Sequence, residues 1–191
     1  MAWGKAGSDT LTSASASAGQ IITGMTGNKF VQGLHHLISG VGTNQVQLQF
    51  SEDTGNNYAE RRNSNGGTDS TLTSTSKIRI DSTSLQHDKL SMFYCCAIST
   101  EEKLVIAFSI RANTAGAGYA PARSETVGKW VNTVDQLDAV KIAGNNLAIN
   151  TNLTVLGSDT AESVTVQNGA IFEETDTNKH YLLDDGTWTE L

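Results

Sequence analysis

Gln45-Val46-Gln47-Leu48-Gln49-Phe50 alternates polar and apolar side chains without a break. On an extended backbone neighbouring side chains point to opposite faces, so Val46, Leu48 and Phe50 share one side and the glutamines the other. Wound as a helix, the same residues would scatter around the axis and bury nothing coherent. The run therefore predicts a half-buried antiparallel strand. The rhythm returns in Ser76-Lys77-Ile78-Arg79-Ile80-Asp81 and in 152–157, where Leu153 and Val155 share a side. It is longest in Lys89–Ser99 and Lys103–Ala112. There Leu104, Ile106, Phe108 and Ile110 line up on one strand, and Met92, Tyr94 and Cys96 on its neighbour. Thr100-Glu101-Glu102 between them forms a natural hairpin connection, which makes this the expected central pair.

Further strands are expected near residues 2–11, 20–24, 58–63, 122–131 and 134–143. Residues 29–39 carry competing helix and strand periods and are read as strand. For about the first 25 residues a loose N-terminal arm is the alternative, although Trp3 argues for docking. Charged residues are 17% of the chain and proline occurs once. Ser, Thr, Asn and Gly fill the gaps between apolar runs, which suits short strands joined by polar turns. Roughly ten such strands, with no repeat at a fixed period, predict an all-β fold: a two-sheet antiparallel sandwich, jelly-roll-like.

The C-terminal stretch reads separately. Residues 171–174, 179–184 and 187–190 alternate as short strands around a polar turn at Thr175–Asn178 and a hairpin turn at Asp185-Gly186. The expected organisation is a sandwich over 1–158, a linker over 159–164 and a β-meander over 165–191. A meander of about 25 residues cannot bury enough apolar surface to stand alone. Phe172, Tyr181, Leu183 and Trp188 are therefore candidate assembly residues, to be covered by the preceding domain or by another chain.

Catalytic and binding chemistry finds little footing. The net charge of −7 argues against nucleic acid and anionic membranes, which call for clustered Lys and Arg. The one basic pair, Arg61-Arg62, is flanked by Glu60. No apolar run is long enough to span a bilayer, and Met1–Ser8 lacks the apolar core of a signal peptide. Cys95 and Cys96 are adjacent on a strand, so they are expected as reduced thiols on opposite faces. His35 and His36 diverge in the same way, and His87 and His180 lack ligand spacing, so no metal site is expected. Residues 52–57 have the oxygen-rich make-up of a calcium loop without the spacing of one, and Asx turns explain them equally well. No nucleophile elbow is present, and Gly116-Ala117-Gly118 lacks the strand-to-helix setting of a phosphate loop. No catalytic residue and no cofactor is expected.

Phe172-Glu173-Glu174-Thr175-Asp176-Thr177, with the hairpin ending Thr187-Trp188-Thr189-Glu190, resembles a short module at the ends of tail, fibre and other structural proteins of environmental tailed viruses. Segments of the body, including residues 50–58, 113–118, 127–130 and 152–159, are similar to β-sandwich virion proteins. The resemblance implies a virion protein made in the host cytoplasm, used for capsid decoration or in the tail, fibre or spike. Its partners would be further copies, in a symmetric trimer, and neighbouring virion proteins. The alternative is a lectin-like module that recognises a host surface glycan, in which an aromatic ring packs on a pyranose. Tyr58, Tyr119 and Trp130 are the candidate glycan contacts.

Overall fold

The computed structural model describes residues 3–14, 19–40, 44–81, 87–144, 146–158, 168–174, 177, 179–185 and 187–191, and every regular element among them is a β-strand. In chain order these are β1 (Trp3–Thr10), β2 (Gln20–Thr23), β3 (Phe30–Leu37), β4 (Val46–Phe50), β5 (Tyr58–Ser64), β6 (Ser70–Thr75), β7 (Ile78–Asp81) and β8 (Lys89–Cys96). They continue with β9 (Lys103–Arg111), β10 (Ala122–Trp130), β11 (Ala139–Ala143), β12 (Asn152–Ser158), β13 (Ile171–Glu174), β14 (Lys179–Asp184) and β15 (Thr187–Glu190). The chain divides into two compact units, Met1–Thr160 and Ala161–Leu191. The boundary falls inside the stretch read as a linker, of which residues 159–164 lie outside the described residues.

In the first unit an eight-stranded antiparallel sheet, ordered β1-β12-β3-β8-β9-β10-β5-β6, is faced by a four-stranded one, β2-β11-β4-β7. This is the expected sandwich, with unequal sheets and a plain β8–β9–β10 meander in the middle of the larger one. The β8–β9 hairpin is central, as its apolar runs predict. The N-terminus is not an arm: β1 pairs with β12 and β2 with β11. β6 is a Ser/Thr run with one leucine, without the apolar rhythm that predicts a strand. It forms an edge beside β5, and both edges of the large sheet carry a register shift, at Lys5/Gly7 and at Tyr58/Glu60. Irregular polar edges discourage pairing with another chain.

The core lies between the two sheets. Val46, Leu48 and Phe50 of β4, Ile78 and Ile80 of β7, and Val140 and Ile142 of β11 meet Val31, Phe93, Val105 and Leu153 of the large sheet. Gly33 gives Phe93 its place, because a Cβ there would sit 2.0 Å from the phenyl ring. Phe50, Tyr58 and Trp130 form an aromatic cluster with centroids 5.9–6.4 Å apart. Such rings are the largest apolar contribution a small core can hold.

The second unit is a three-stranded sheet, β13-β14-β15. Register pairs Phe172 with Tyr181 and Leu183 with Trp188. Asp185 takes a positive φ of 44°, the backbone a tight hairpin turn requires and one Asp tolerates. Thr175, Asp176, Asn178 and Gly186 of the two expected turns lie outside the described residues.

Candidate functional site

The apolar alternation of β8 and β9 does not point into the core. Leu104, Ile106, Phe108 and Ile110 lie on the outer face of the large sheet, with Ile106 52% and Phe108 44% exposed. Cross-strand register extends this face into rows. One runs Gln32, Tyr94, Ile106, Val127, Arg61; the next runs Leu34, Met92, Phe108, Glu125, Asn63. Leu90 and Ile110 pair in the row beyond. The middle of each row is apolar, and polar residues close the β5–β10 side. Two depressions flank the Leu104–Ile106 ridge, each about 400 Å³. One is walled by Trp3, Phe30 and Tyr94, the other by Ala59, Leu72 and Val127.

The residues that alternate with these are the buried ones, and several are charged. Asp81, on the edge strand of the small sheet, accepts from Arg111 Nη1 at 3.2 Å and faces Lys89 Nζ at 3.4 Å. Lys89 Nζ also donates to the Asn44 carbonyl at 2.6 Å. Burial lowers the Lys89 pKa and the Asp81 carboxylate opposes that shift. Glu60, fully buried, accepts from Arg79 Nε at 2.7 Å and from the Arg79 amide. Lys103 Nζ lies 5.3 Å from the Trp130 ring centre and donates to the Asn132 carbonyl at 2.6 Å. Ser91 Oγ donates to Ser109 Oγ at 2.9 Å. On β8 and β9 the inner layer mixes Phe93, Cys95, Val105 and Ala107 with serines and partnered charges, and the large aliphatic side chains of β9 face out. A signal for this exists in the sequence: β8 and β9 are near-continuous apolar runs, the pattern of strands covered on both faces.

In the C-terminal unit the four candidate assembly residues do share one face. Phe172 lies 6.1 Å from both Tyr181 and Trp188 between ring centres. Leu183 is buried, while Phe172 is 52% and Trp188 42% exposed. On the opposite face, His180 Nε2 comes within 3.9 Å of Glu173.

Two of the three candidate glycan contacts are core residues instead. Tyr58 is buried, its hydroxyl donating to the Phe50 and Asp53 carbonyls at 3.2 Å and accepting from the Phe50 amide at 2.9 Å. Trp130 is buried and donates from Nε1 to Asp53 Oδ2 at 2.7 Å. Both aromatics are drawn inward by Phe50 and by the loop that follows it, so neither offers a ring to a sugar. Tyr119 is exposed on the 113–120 loop.

Asp53 is occupied in the same way. Its Oδ1 accepts from the Gly55 amide at 2.7 Å and its Oδ2 from Asn57 at 2.9 Å as well as from Trp130. Burial alone would raise its pKa, but these donors outweigh that and hold it below the usual value. The loop is an Asx turn whose carboxylate is spent on donors. Among the described residues no group of three His, Cys, Asp or Glu comes together as metal ligands. Cys95 is buried and Cys96 half-buried on the opposite face, both as free thiols, and burial raises the Cys95 pKa well above its ordinary value. His35 is buried among the core strands while His36 faces solvent. Neither His35 nitrogen has a hydrogen-bond partner, and burial, with His36 nearby, lowers its pKa to about 3.

No protein-family model, no curated protein and no solved structure matches this chain.

Proposed function

We propose that this protein is a non-enzymatic structural component of a tailed-virus particle, on the capsid surface or in the tail, fibre or spike, working as a symmetric homo-oligomer of three copies. The observation that carries this reading is the aromatic face of the C-terminal unit. Phe172 and Trp188 lie about half exposed on a three-stranded sheet whose described residues bury only Leu183. A sheet of that size is completed by packing against something else. Partly exposed aromatics at the middle of a small patch are what protein contacts use as anchors. The viral setting rests on the resemblance of the turn-rich segments and of the C-terminal module.

Light scattering on the purified full-length chain tests the assembly. The expected mass is a whole multiple of three times the 20.3 kDa of one chain, and the factor of three is lost when Phe172 and Trp188 are both changed to serine. A single-chain mass over a wide concentration range would contradict the reading.

A further inference from the structure

The outer face of the eight-stranded sheet is built from other residues than the C-terminal aromatics. We infer that it packs against the same face of a second copy of this chain. The inference rests on the proposed assembly only in taking the partner to be another copy, and it stands on different residues.

The first reason is the sequence of the central strands. In an antiparallel sheet with one wet face, outward positions are polar. Here the outward positions of β9 are Leu104, Ile106, Phe108 and Ile110, and they continue into Tyr94 on β8 and Val127 on β10. Strands of this kind belong in the middle of a stack. The small sheet supplies a cover on one side only, and among the described residues of the first unit none covers the other.

The second reason is area. About ten large apolar side chains on this face are each about half exposed; with aromatic side chains at roughly 200 Å² and the aliphatic ones smaller, they present on the order of 700 Å², to which the polar rim adds. A stable protein contact takes about 800 Å² per partner, whereas the largest apolar patch on a typical monomer is about 300–600 Å².

Charge and shape identify the occupant as a copy of the same chain. A face that meets itself cannot carry a single sign at its rim without repulsion. Along the β5–β10 flank each cation is already neutralised by its own acid: Arg61 with Asp69 at 3.8 Å, Arg123 with Glu125 at 3.5 Å, Lys129 with Glu102 at 2.7 Å. The opposite flank presents Gln32, His36, Asn152 and Thr154, with Lys5 across from Leu156 adding a single positive sign there. A strongly charged partner would find little to pair with. The Leu104–Ile106 ridge between two hollows also makes the surface complementary to itself, since the ridge of one copy can lie in a hollow of the other.

The test uses the full-length chain and reads its mass by sedimentation and light scattering over a concentration series. The double variant Phe172→Ser/Trp188→Ser, which removes the C-terminal anchors, is expected to remain associated through the sheet. Adding Ile106→Lys, which places like charges against each other, is expected to reduce it to single chains. Ile106→Lys or Phe108→Ser alone should weaken the sheet contact roughly 30-fold, the effect of one anchor residue. Both side chains are exposed, so circular dichroism and the unfolding midpoint at low protein concentration should stay at the parental values and separate lost contact from lost fold. If the Phe172→Ser/Trp188→Ser variant is already a single chain, the sheet contact is overturned and the proposed function stands. An unchanged association constant in Ile106→Lys overturns it equally. A parental chain that is single at every concentration overturns both readings, and if that chain floats with phosphatidylcholine vesicles the face belongs to lipid.

Discussion

On the inner face of the eight-stranded sheet Lys89, Lys103 and Arg111 are buried; on the outer face of the same strands Leu104, Ile106 and Phe108 meet solvent. Alternation along β9 places the two sets one residue apart. The inner charges are tolerable because each has a fixed partner from a distant part of the chain: Asp81 for Lys89 and Arg111, and carbonyls with the Trp130 ring for Lys103. The outer side chains have no comparable arrangement in the first unit. Hydrophobicity alone thus does not decide which side of a strand becomes interior. The side that a neighbouring sheet can close, with every buried charge answered, becomes the core.

The largest expected effect comes from breaking that answer on the inner face. Asp81→Asn leaves Lys89 and Arg111 buried without their carboxylate, and removing one member of a buried ion pair costs about 3–5 kcal/mol. Urea unfolding should report it as a lower midpoint. Next is acid. Folded His35 titrates at about 3, below the ordinary 6.5, so between those values only the unfolded chain takes the proton. Its contribution is intact above pH 6.5 and is lost progressively as pH falls toward 3, at up to about 1.4 kcal/mol per pH unit. The unfolding free energy contributed by His35 should be lower at pH 5 than at pH 7 by roughly 2 kcal/mol in the parental chain, and His35→Leu should remove that part of the difference.

A smaller loss is expected from Trp130→Phe, which keeps the ring cluster but deletes the hydrogen bond to Asp53. A bond to a charged acceptor is worth about 1.5 kcal/mol or somewhat more, measurable as a shift in the thermal or urea midpoint. Smallest is Phe108→Ser on the outer face. Its effect on the unfolding of the dissociated chain should stay within about 0.5 kcal/mol, whereas its effect on self-association should be large. If Phe108→Ser instead unfolds the dissociated chain as severely as Asp81→Asn, the contrast between the two faces fails.

Much of this was legible from the residues alone. The glutamine-spaced strand, the β8–β9 hairpin and the C-terminal meander follow from period and turn chemistry, whereas the common face of Phe172, Tyr181, Leu183 and Trp188 comes from the cross-strand register. The side on which β8 and β9 are covered was not. Val105, Ala107, Phe93 and Cys95 make the inner positions apolar enough to compete, and Asp81, which completes the choice, reaches them only through long-range packing. Tyr58 and Trp130 were misplaced for a related reason. Their burial depends on Phe50 and on the Asp53 loop, contacts that no local pattern announces. β6 has no such local signal, since a Ser/Thr run with one leucine has no apolar rhythm, and pairing with β5 makes it a strand.

The state of the outer face can be read directly from Cys96, which lies on it beside Phe30, with buried Cys95 as an internal control. Alkylation of the Cys96 thiol should be followed over a series of protein concentrations in the Phe172→Ser/Trp188→Ser background. Packing of the sheet on a second copy predicts that Cys96 modification slows as concentration rises, that Ile106→Lys abolishes the slowing, and that Cys95 stays protected throughout. A Cys96 rate that is the same at every concentration, in a chain whose Cys95 remains protected, would contradict it.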